Sequence, residues 1–277
     1  MPSISVIVTT YQRPLALNRV LESLYAQKVT PAEIVIADDG SGAETAALIQ
    51  SWQARFACPL IHAWQADDGF RAASARNQAV AASSGDYLVF LDGDCLVFPD
   101  FIARHLLLAE KNYLVVGSRM LCSPALTEQI EAGKAAPLSW NILRWINAAW
   151  RGEINRIFPL LNVPGQVWRK LRGKKWRGVR TFNLAVWRKD FENVNGFDES
   201  FQGWGHEDAD LAIRLMNSGV RRKDGQFALP VLHLWHKESD RGREAANRQR
   251  LNERIAHGQI GANVGLDTHL HSGNLRE

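Results

Sequence analysis

Two carboxylates on either side of a glycine close an apolar run in this chain. The run Tyr87-Leu88-Val89-Phe90-Leu91 has no polar relief, and Asp92-Gly93-Asp94 follows it at once. Such a run suits a strand covered on both faces, as in parallel sheets. Acids at its end lie where open α/β sheets bind ligands, outside the carboxyl ends of the strands. Gly93 lets the backbone turn tightly between them. Hard oxygen ligands there suit Mg²⁺ or Mn²⁺, and such a metal suits a diphosphate. Asp and Gly are also ordinary turn residues. What separates a site from a bare turn is whatever else converges on the same edge.

Three further groups of residues have chemical potential. Asp38-Asp39-Gly40-Ser41 closes a second strand, Glu33-Ile34-Val35-Ile36-Ala37. Gly203-Trp204-Gly205-His206 leads into Glu207, Asp208 and Asp210 at the start of a helical pattern. Acids there complement the helix dipole and often do nothing more. A Trp held between glycines adds a flat apolar platform for a sugar face, beside acids that can take a hydroxyl proton. His233 and His236, three apart near a strand end, suit metal ligation, although a lone His is usually structural.

The elements that must position these groups follow in order. Ile4–Val8 reads as a strand, Thr9–Pro14 as a loop, and Pro14 as a helix start with Leu15, Leu17, Val20, Leu21 and Leu24 at helical spacing. A strand at 33–37, a helix at 43–56, a short strand at 59–63 and an Ala-rich helix at 72–82 precede the central strand. A helix from Pro99 to about Glu110 and a strand at 114–117 follow it. This alternation means βαβ units and a mainly parallel sheet. Parallel strands share one carboxyl edge, so the loops at Asp38-Asp39 and Asp92-Asp94 face the same side.

After Met120 the alternation stops. Trp140 to Trp150 has the spacing of an amphipathic helix, flanked by Arg144 and Arg151. Residues 166–178 are strongly basic and loop-rich. Thr181–Trp187 returns as a strand, a helix runs from Glu207 to Asn217, and a last strand covers 229–235. A helix over 243–257 stops at Gly258, and a polar tail from Gln259 is expected to be disordered at its end. The expected organisation is an α/β half at 1–120 and a second half at 121–240, to which the resemblance described below assigns nucleotide-sugar binding and acceptor binding with catalysis, respectively. The second half carries a basic, Trp-rich helical insertion at about 121–180, and a C-terminal charged helix and tail occupy 241–277.

Bulk properties narrow the function. No apolar run reaches the roughly 18 residues of a membrane span. The chain enters its first strand without a basic leader, so no signal peptide is expected. Cys58, Cys95 and Cys122 are odd in number and scattered, which points to reduced thiols in a cytoplasm. Net charge is +4, but between Arg144 and Arg188 there are eleven Lys/Arg against one acid, Glu153, and six of the ten tryptophans lie at 140–187. Basic residues mixed with Trp suit anionic lipid head groups or a polyanionic acceptor, and also nucleic acid. Neither Gly-x-Gly-x-x-Gly nor a P-loop is present, which weighs against a dehydrogenase and a P-loop enzyme. A diphosphate would then need another counter-charge, which a metal on Asp94 would supply.

Thr9-Thr10-Tyr11-Gln12-Arg13-Pro14, Asp38-Asp39-Gly40-Ser41, Ala75-Arg76-Asn77 and Asp92-Gly93-Asp94, in this order, resemble the family 2 glycosyltransferases, which have the GT-A fold. Gly203-Trp204-Gly205-His206-Glu207-Asp208 resembles the acceptor-side motif of β-1,4-galactosyltransferases and chondroitin polymerases. The resemblance covers about 3–118 and 181–240, and 120–180 has no evident counterpart. It implies an α/β fold of GT-A (Rossmann-like) type and a nucleotide-diphosphate-sugar donor, usually a UDP-sugar. It further implies that Thr9, Tyr11, Arg13 and Asp39 hold the uracil, with Arg71 and Arg76 near uridine and phosphate and Asp92 on the ribose. Asp94 and His236 would bind Mn²⁺ or Mg²⁺, with His233 a helper. Trp204 would stack on sugars, Asp208 would be the base, and Glu207 would hold donor or acceptor hydroxyls.

The expectation is an inverting, metal-dependent glycosyltransferase that moves a sugar from a UDP-sugar to a hydroxyl of a glycan or lipid-linked glycan. Its expected setting is lipopolysaccharide core or a similar bacterial envelope polymer, at the inner face of the cytoplasmic membrane. An anionic membrane surface is an expected partner and nucleic acid is not. A sugar nucleotidyltransferase is a rival, but it opens with a glycine-rich basic loop, which Thr9–Pro14 is not. A polyanion or nucleic-acid binder leaves the acidic loops unexplained, because acids repel phosphate unless a metal intervenes. A catalytically dead relative conflicts with the full set of acids.

Overall fold

The structure, a computed structural model, describes residues 1–237 and 240–270. The tail end at 271–277 therefore lies outside the described residues. The first half runs β1 (Ile4–Thr10), α1 (Pro14–Tyr25), β2 (Glu33–Asp38), α2 (Ala43–Gln53), β3 (Leu60–Trp64), α3 (Ala72–Ala81), β4 (Tyr87–Asp92), β5 (Cys95–Val97), α4 (Phe101–Leu108) and β6 (Tyr113–Val116). The second half contributes β7 (Ser118–Leu121), α5 (Pro124–Glu131), α6 (Ile142–Trp150), β8 (Asn183–Trp187), α7 (Arg188–Asn193), α8 (Glu207–Asn217), β9 (Arg221–Asp224), β10 (Pro230–His233), α9 (Glu244–His257) and α10 (Asp267–Leu270).

Seven strands form the main sheet in the order β3-β2-β1-β4-β8-β6-β9, parallel except for β8, which runs antiparallel to both β4 and β6. In β4 the side chains alternate: Tyr87, Val89 and Leu91 join one apolar layer with α1, and Leu88 and Phe90 join the other with α3 and Phe191. That is why the strand needs no polar residue until its end. The register aligns Thr9 with Asp92, Thr10 with Asp38 and Asp38 with Trp64, which places the two acidic loops on one edge.

A second sheet, β5-β10-β7, lies at that edge, with β10 antiparallel to β5 and parallel to β7. Its strands have only three or four residues each; β5 and β7 are too short for a periodicity signal, whereas β10 falls within the last strand expected at 229–235. β9 was also illegible, because Arg221-Arg222-Lys223-Asp224 contains no apolar residue. Lys223 Nζ donates to Leu108 O (2.9 Å) and Glu110 Oε2 (3.1 Å), and Arg222 donates to Arg177 O (3.0 Å). These internal partners let a charged strand be buried. Boundaries shift elsewhere: the last strand ends at His233 rather than 235, and α2 ends at Gln53 rather than 56.

The insertion contains α5 and α6 as its α-helices. α6 buries Trp145 and Ala148 but exposes Ile142, Leu143, Ile146 and Trp150, the last 85% exposed. Part of the basic run turns inward. Arg169 is buried and donates to Val163 O and Gln226 O (both 2.7 Å), and Lys170 pairs with Glu110 at 2.6 Å. Among the described residues, no helix is long and apolar enough to cross a membrane.

Candidate active site

The edge between β1 and β4 needs its glycine. Gly93 N donates to Thr9 O at 2.7 Å, and a Cβ on Gly93 would stand 2.8 Å from that oxygen. The chain therefore passes tightly behind β1, and Asp92 and Asp94 are held at its carboxyl end. Beside them, Asp39 accepts from Gln65 Nε2 (2.6 Å) and from the Arg71 backbone N–H (2.7 Å). Burial pushes its carboxyl up, and these two bonds oppose the shift. Tyr11 is half-exposed and its hydroxyl donates to Asp67 Oδ2 at 2.9 Å. Asp67 and Gln65 thus belong to this corner, although neither stood out in the sequence.

Arg76, on the second turn of α3, joins the two halves of the chain. It is 5% exposed. Its Nε donates to Thr9 Oγ1 (3.0 Å), and its terminal nitrogens lie 3.4 Å from Asp92 Oδ1, 3.5 Å from Glu207 Oε1 and 3.9 Å from Asp208 Oδ1. Burial lowers its pKa, but Asp208, Asp92 and Glu207 together outweigh that and raise it. The next residue, Asn77, does mechanical work. Its Oδ1 accepts from Phe197 N (2.9 Å), and its Nδ2 donates to Phe197 O (2.9 Å) and Glu199 (2.8 Å). That fastens the loop leading to α8, so Arg-Asn reads as one residue for charge and one for position.

Three left-handed residues, Gly203 (φ 74), Gly205 (φ 106) and His206 (φ 77), turn the chain into α8 on either side of Trp204. A non-glycine residue pays roughly 1–2 kcal/mol for that conformation, so the surroundings must hold His206 there. Glu207 and Asp208 then open the helix, each 9% exposed. Thr181, just before β8, donates its hydroxyl to Asp208 Oδ1 at 2.8 Å and is itself buried. Nothing in the sequence marked Thr181. Burial first, then Asp208, lifts Glu207 to about 7, and Arg76 opposes the rise. A raised carboxyl supports the fold fully below its usual range near 4.5 and loses that support as pH climbs through 7. The cost above neutrality is on the order of 3 kcal/mol. Asp210 does not face this group: it bonds Arg214 (2.7 Å) and Arg254 (2.6 Å) and ties α8 to α9.

Asp94 is the centre of a second cluster. Its Oδ1 lies 3.5 Å from His233 Nε2 and its Oδ2 lies 3.6 Å from His236 Nε2. Arg13 sits on the same Oδ2 at 2.8 Å and is braced by Glu131 Oε1 (3.0 Å) and Trp235 O (3.2 Å). Arg13 thus lies beside the metal candidate Asp94. Burial raises both Asp92 and Asp94. Arg76 opposes it at Asp92, and His236 and Arg13 oppose it at Asp94. Burial, then Arg119, pushes His233 down to about 4, so it is neutral as a metal ligand must be. A carboxylate with one imidazole beside each oxygen, His233 on Oδ1 and His236 on Oδ2, offers donors of the right kind for a divalent metal, which would compete with Arg13 for Oδ2. Cys95 also points here, its Sγ 3.8 Å from Asp94 Oδ1. Trp204 is half-buried, with the Arg241 guanidinium 4.6 Å from its ring centre.

The site and the sheet can be set beside known proteins. The model of glycosyl transferase family 2 matches residues 5–161, and that of the N-terminal domain of galactosyltransferase matches 169–237. Together they reach into 120–180, which the motif comparison left without a counterpart. Validoxylamine A glucosyltransferase of Streptomyces hygroscopicus subsp. limoneus is 30% identical over 231 residues, 79% of this chain and 49% of that protein. Hyaluronan synthase of Pasteurella multocida is 25% identical over 78% of this chain and 23% of its own. The chain spans about half the length of the validoxylamine A glucosyltransferases it matches. Among solved structures, S. aureus TarS 1-349 in complex with UDP has a TM-score of 0.65 at 14% identity, covering 99% of this chain and 71% of that one. Mannosyltransferase PcManGT of Pyrobaculum calidifontis, in complex with GDP-Man and Mn²⁺, gives 0.56 at 19% identity, over 98% of this chain and 69% of that one. The fold is of the GT-A kind, and the chain belongs to glycosyl transferase family 2.

Proposed function

We propose that this chain transfers a sugar from a UDP-sugar to a hydroxyl of a glycan acceptor, with inversion and with help from a divalent metal. The observation that carries this reading is the Arg76 junction, which sets the donor-edge acid Asp92 and the α8 acids Glu207 and Asp208 around one buried guanidinium. The relatives' names support it: a glucosyltransferase, a hyaluronan synthase and a chondroitin synthase. So do neighbours solved with UDP, with UDP-GlcNAc, and with GDP-Man and Mn²⁺.

The residues divide the work between the two halves, 1–120 for the donor and 121–240 for acceptor and chemistry. Thr9, Tyr11, Asp39 and Arg71, at the carboxyl edge of β1 to β3, receive the nucleoside, and Asp92 the ribose. Asp94 with His236 and His233 would hold Mn²⁺ or Mg²⁺, and Arg13 keeps Asp94 turned toward them. A cation bound there supplies positive charge to the departing diphosphate. Trp204 offers its ring to the sugars. Asp208 uses Oδ1 to take the Thr181 hydrogen bond, which leaves Oδ2 for the acceptor hydroxyl. As that oxygen bonds to the anomeric carbon and the bond from that carbon to the diphosphate breaks, Asp208 receives the hydroxyl proton. Glu207, poised near neutrality, hydrogen-bonds sugar hydroxyls in either protonation state.

A thermal-shift panel of UDP-, GDP-, CDP- and dTDP-sugars, with and without Mn²⁺, tests the donor. Binding to the folded state raises its melting temperature by mass action. One UDP-sugar giving a metal-dependent rise is expected. No rise with any of them would remove the donor assignment and favour the polyanion-binding reading.

We propose also that the acceptor is lipid-linked, met at the inner face of the cytoplasmic membrane during synthesis of lipopolysaccharide core or a similar envelope polymer. The outward apolar face of α6 supports this, as do exposed cations on the same insertion such as Arg151, Lys174 and Lys175. Co-sedimentation with phosphatidylglycerol-containing vesicles at low salt is expected, and Leu143→Ser with Trp150→Ser should abolish it without altering the donor-induced thermal shift. A wild-type chain that stays in the supernatant would end the membrane proposal and leave the donor reading intact.

A further inference from the structure

Cys95 carries chemistry that the proposed transfer does not use. β5 and β10 pair antiparallel with His233 directly opposite Cys95, so both side chains project from one face of the small sheet. Leu234 N donates to Asp94 O at 2.9 Å and closes the same corner. The result is a cluster of three donors: Asp94 Oδ1, Cys95 Sγ and His233 Nε2 all lie within 4.8 Å of one another. The oxygen is 3.8 Å from the sulfur and 3.5 Å from the nitrogen. Cys95 is fully buried and His233 is 8% exposed.

These separations can be compared with what different ions require. An octahedral site with bonds of about 2.0–2.1 Å sets neighbouring donors about 3 Å apart. A tetrahedral site with Zn–S of about 2.3 Å and Zn–N and Zn–O of about 2.0–2.2 Å sets them about 3.3–3.6 Å apart. The observed 3.5 and 3.8 Å lie on the tetrahedral side. The donor set points the same way, because thiolate and imidazole favour Zn²⁺ and its tetrahedral analogue Co²⁺, whereas Mg²⁺ and Mn²⁺ prefer oxygen. His236 lies outside this cluster, with its Nε2 3.6 Å from the other carboxylate oxygen of Asp94.

We propose that Asp94, Cys95 and His233 form a thiophilic metal site, which takes Zn²⁺ in place of the ion that supports transfer. The proposal rests on the reading of Asp94 as a metal ligand. On entry the ion bonds to Sγ, and the thiol proton leaves to solvent. Asp94 is shared between the two ions, so Zn²⁺ bound to it excludes Mn²⁺. Zn²⁺ therefore inhibits transfer competitively with Mn²⁺. The alternative is that Cys95 is only a small apolar filler, as buried cysteines commonly are.

Co²⁺ titration of the full chain separates the two. The wild type is expected to show a thiolate-to-cobalt charge-transfer band and intense tetrahedral ligand-field bands. Cys95→Ser and Cys95→Ala should lose the charge-transfer band, with Cys58 and Cys122 still in place as internal controls. Zn²⁺ affinity should fall at least about tenfold, since loss of outer-shell partners alone costs 10–100-fold. Melting curves confirm that each variant is folded, and paramagnetic resonance follows Mn²⁺. Co²⁺ bound with no thiolate band, or a band that persists in both variants, overturns the role of Cys95 and spares that of Asp94. Failure of the wild type to bind either Co²⁺ or Mn²⁺ overturns both.

Discussion

Asp208→Asn is expected to lower kcat by about 10²–10⁴-fold, the usual contribution of a positioned general base, while the donor still raises the melting temperature. The substitution keeps the shape of the side chain and an oxygen for Thr181, which now donates to Asp208 Oδ1 at 2.8 Å. It removes only the ability to accept a proton and one of three negative charges near Arg76, at 3.9 Å. Because Asp92 and Glu207 are nearer to that guanidinium, at 3.4 and 3.5 Å, the junction should survive. Steady-state kinetics with the donor found in the thermal panel, alongside donor binding, gives the needed split. Near-full turnover in the Asn variant would show that Asp208 is not the base. Lost donor binding with lost turnover would show instead that its charge supports the donor site. A milder companion is Thr181→Val, which leaves the carboxylate ionisable but unrestrained. It should lower kcat less than Asp208→Asn does, with KM for the donor little changed.

The parts of this molecule that were legible in the sequence share a physical cause. β1, β2 and β4 are covered on both faces, so they are mainly apolar, with the buried pair Ser5 and Glu33 bonded to each other (2.6 Å), and an acid at the end of such a run is conspicuous. Asp38, Asp39, Asp92 and Asp94 were found for that reason. Their common edge followed from parallel pairing, and the register aligns Thr9 with Asp92 and Thr10 with Asp38. β9 stayed hidden because Lys223 and Arg222 satisfy their charges on Leu108, Glu110 and Arg177 rather than in water. The basic run at 166–178 misled in part for the same reason, since Arg169 spends its donors on backbone carbonyls. Cys95 and Thr181 were invisible because their surroundings come from distant chain. Cys95 meets His233 through the β5–β10 register, and Thr181 meets Asp208 across the start of β8. Arg13 illustrates the limit of motif reading, because its partner depends on α5, which brings Glu131 to it.

Replacing Arg76 should have the largest effect on the fold. Removing one partner from a buried ionic cluster typically destabilises by about 3–5 kcal/mol, because the remaining charges stay buried without compensation. Arg76→Met keeps much of the side-chain volume against Phe197, whose ring centre lies 5.4 Å from the guanidinium carbon. The loss is therefore mainly one of charge and hydrogen bonds. It should depend on pH in a definite direction. Burial already raises Asp92 and Glu207, and Arg76 is the leading charge opposing that rise at both. Without it both carboxyls rise further. A raised carboxyl supports the fold below its ordinary range and loses that support as pH climbs through its folded value. The deficit of the variant should accordingly be small near pH 5 and grow toward pH 8, as urea unfolding at the two values would reveal. Arg76→Lys should restore part of the difference, because it keeps the charge but cannot reach Thr9, Asp92 and Glu207 together with a planar fork. An equal deficit at both pH values would assign the loss to packing. No deficit at all would mean that water reaches the three acids, and the proposed dry junction between donor and acceptor halves would fall with it.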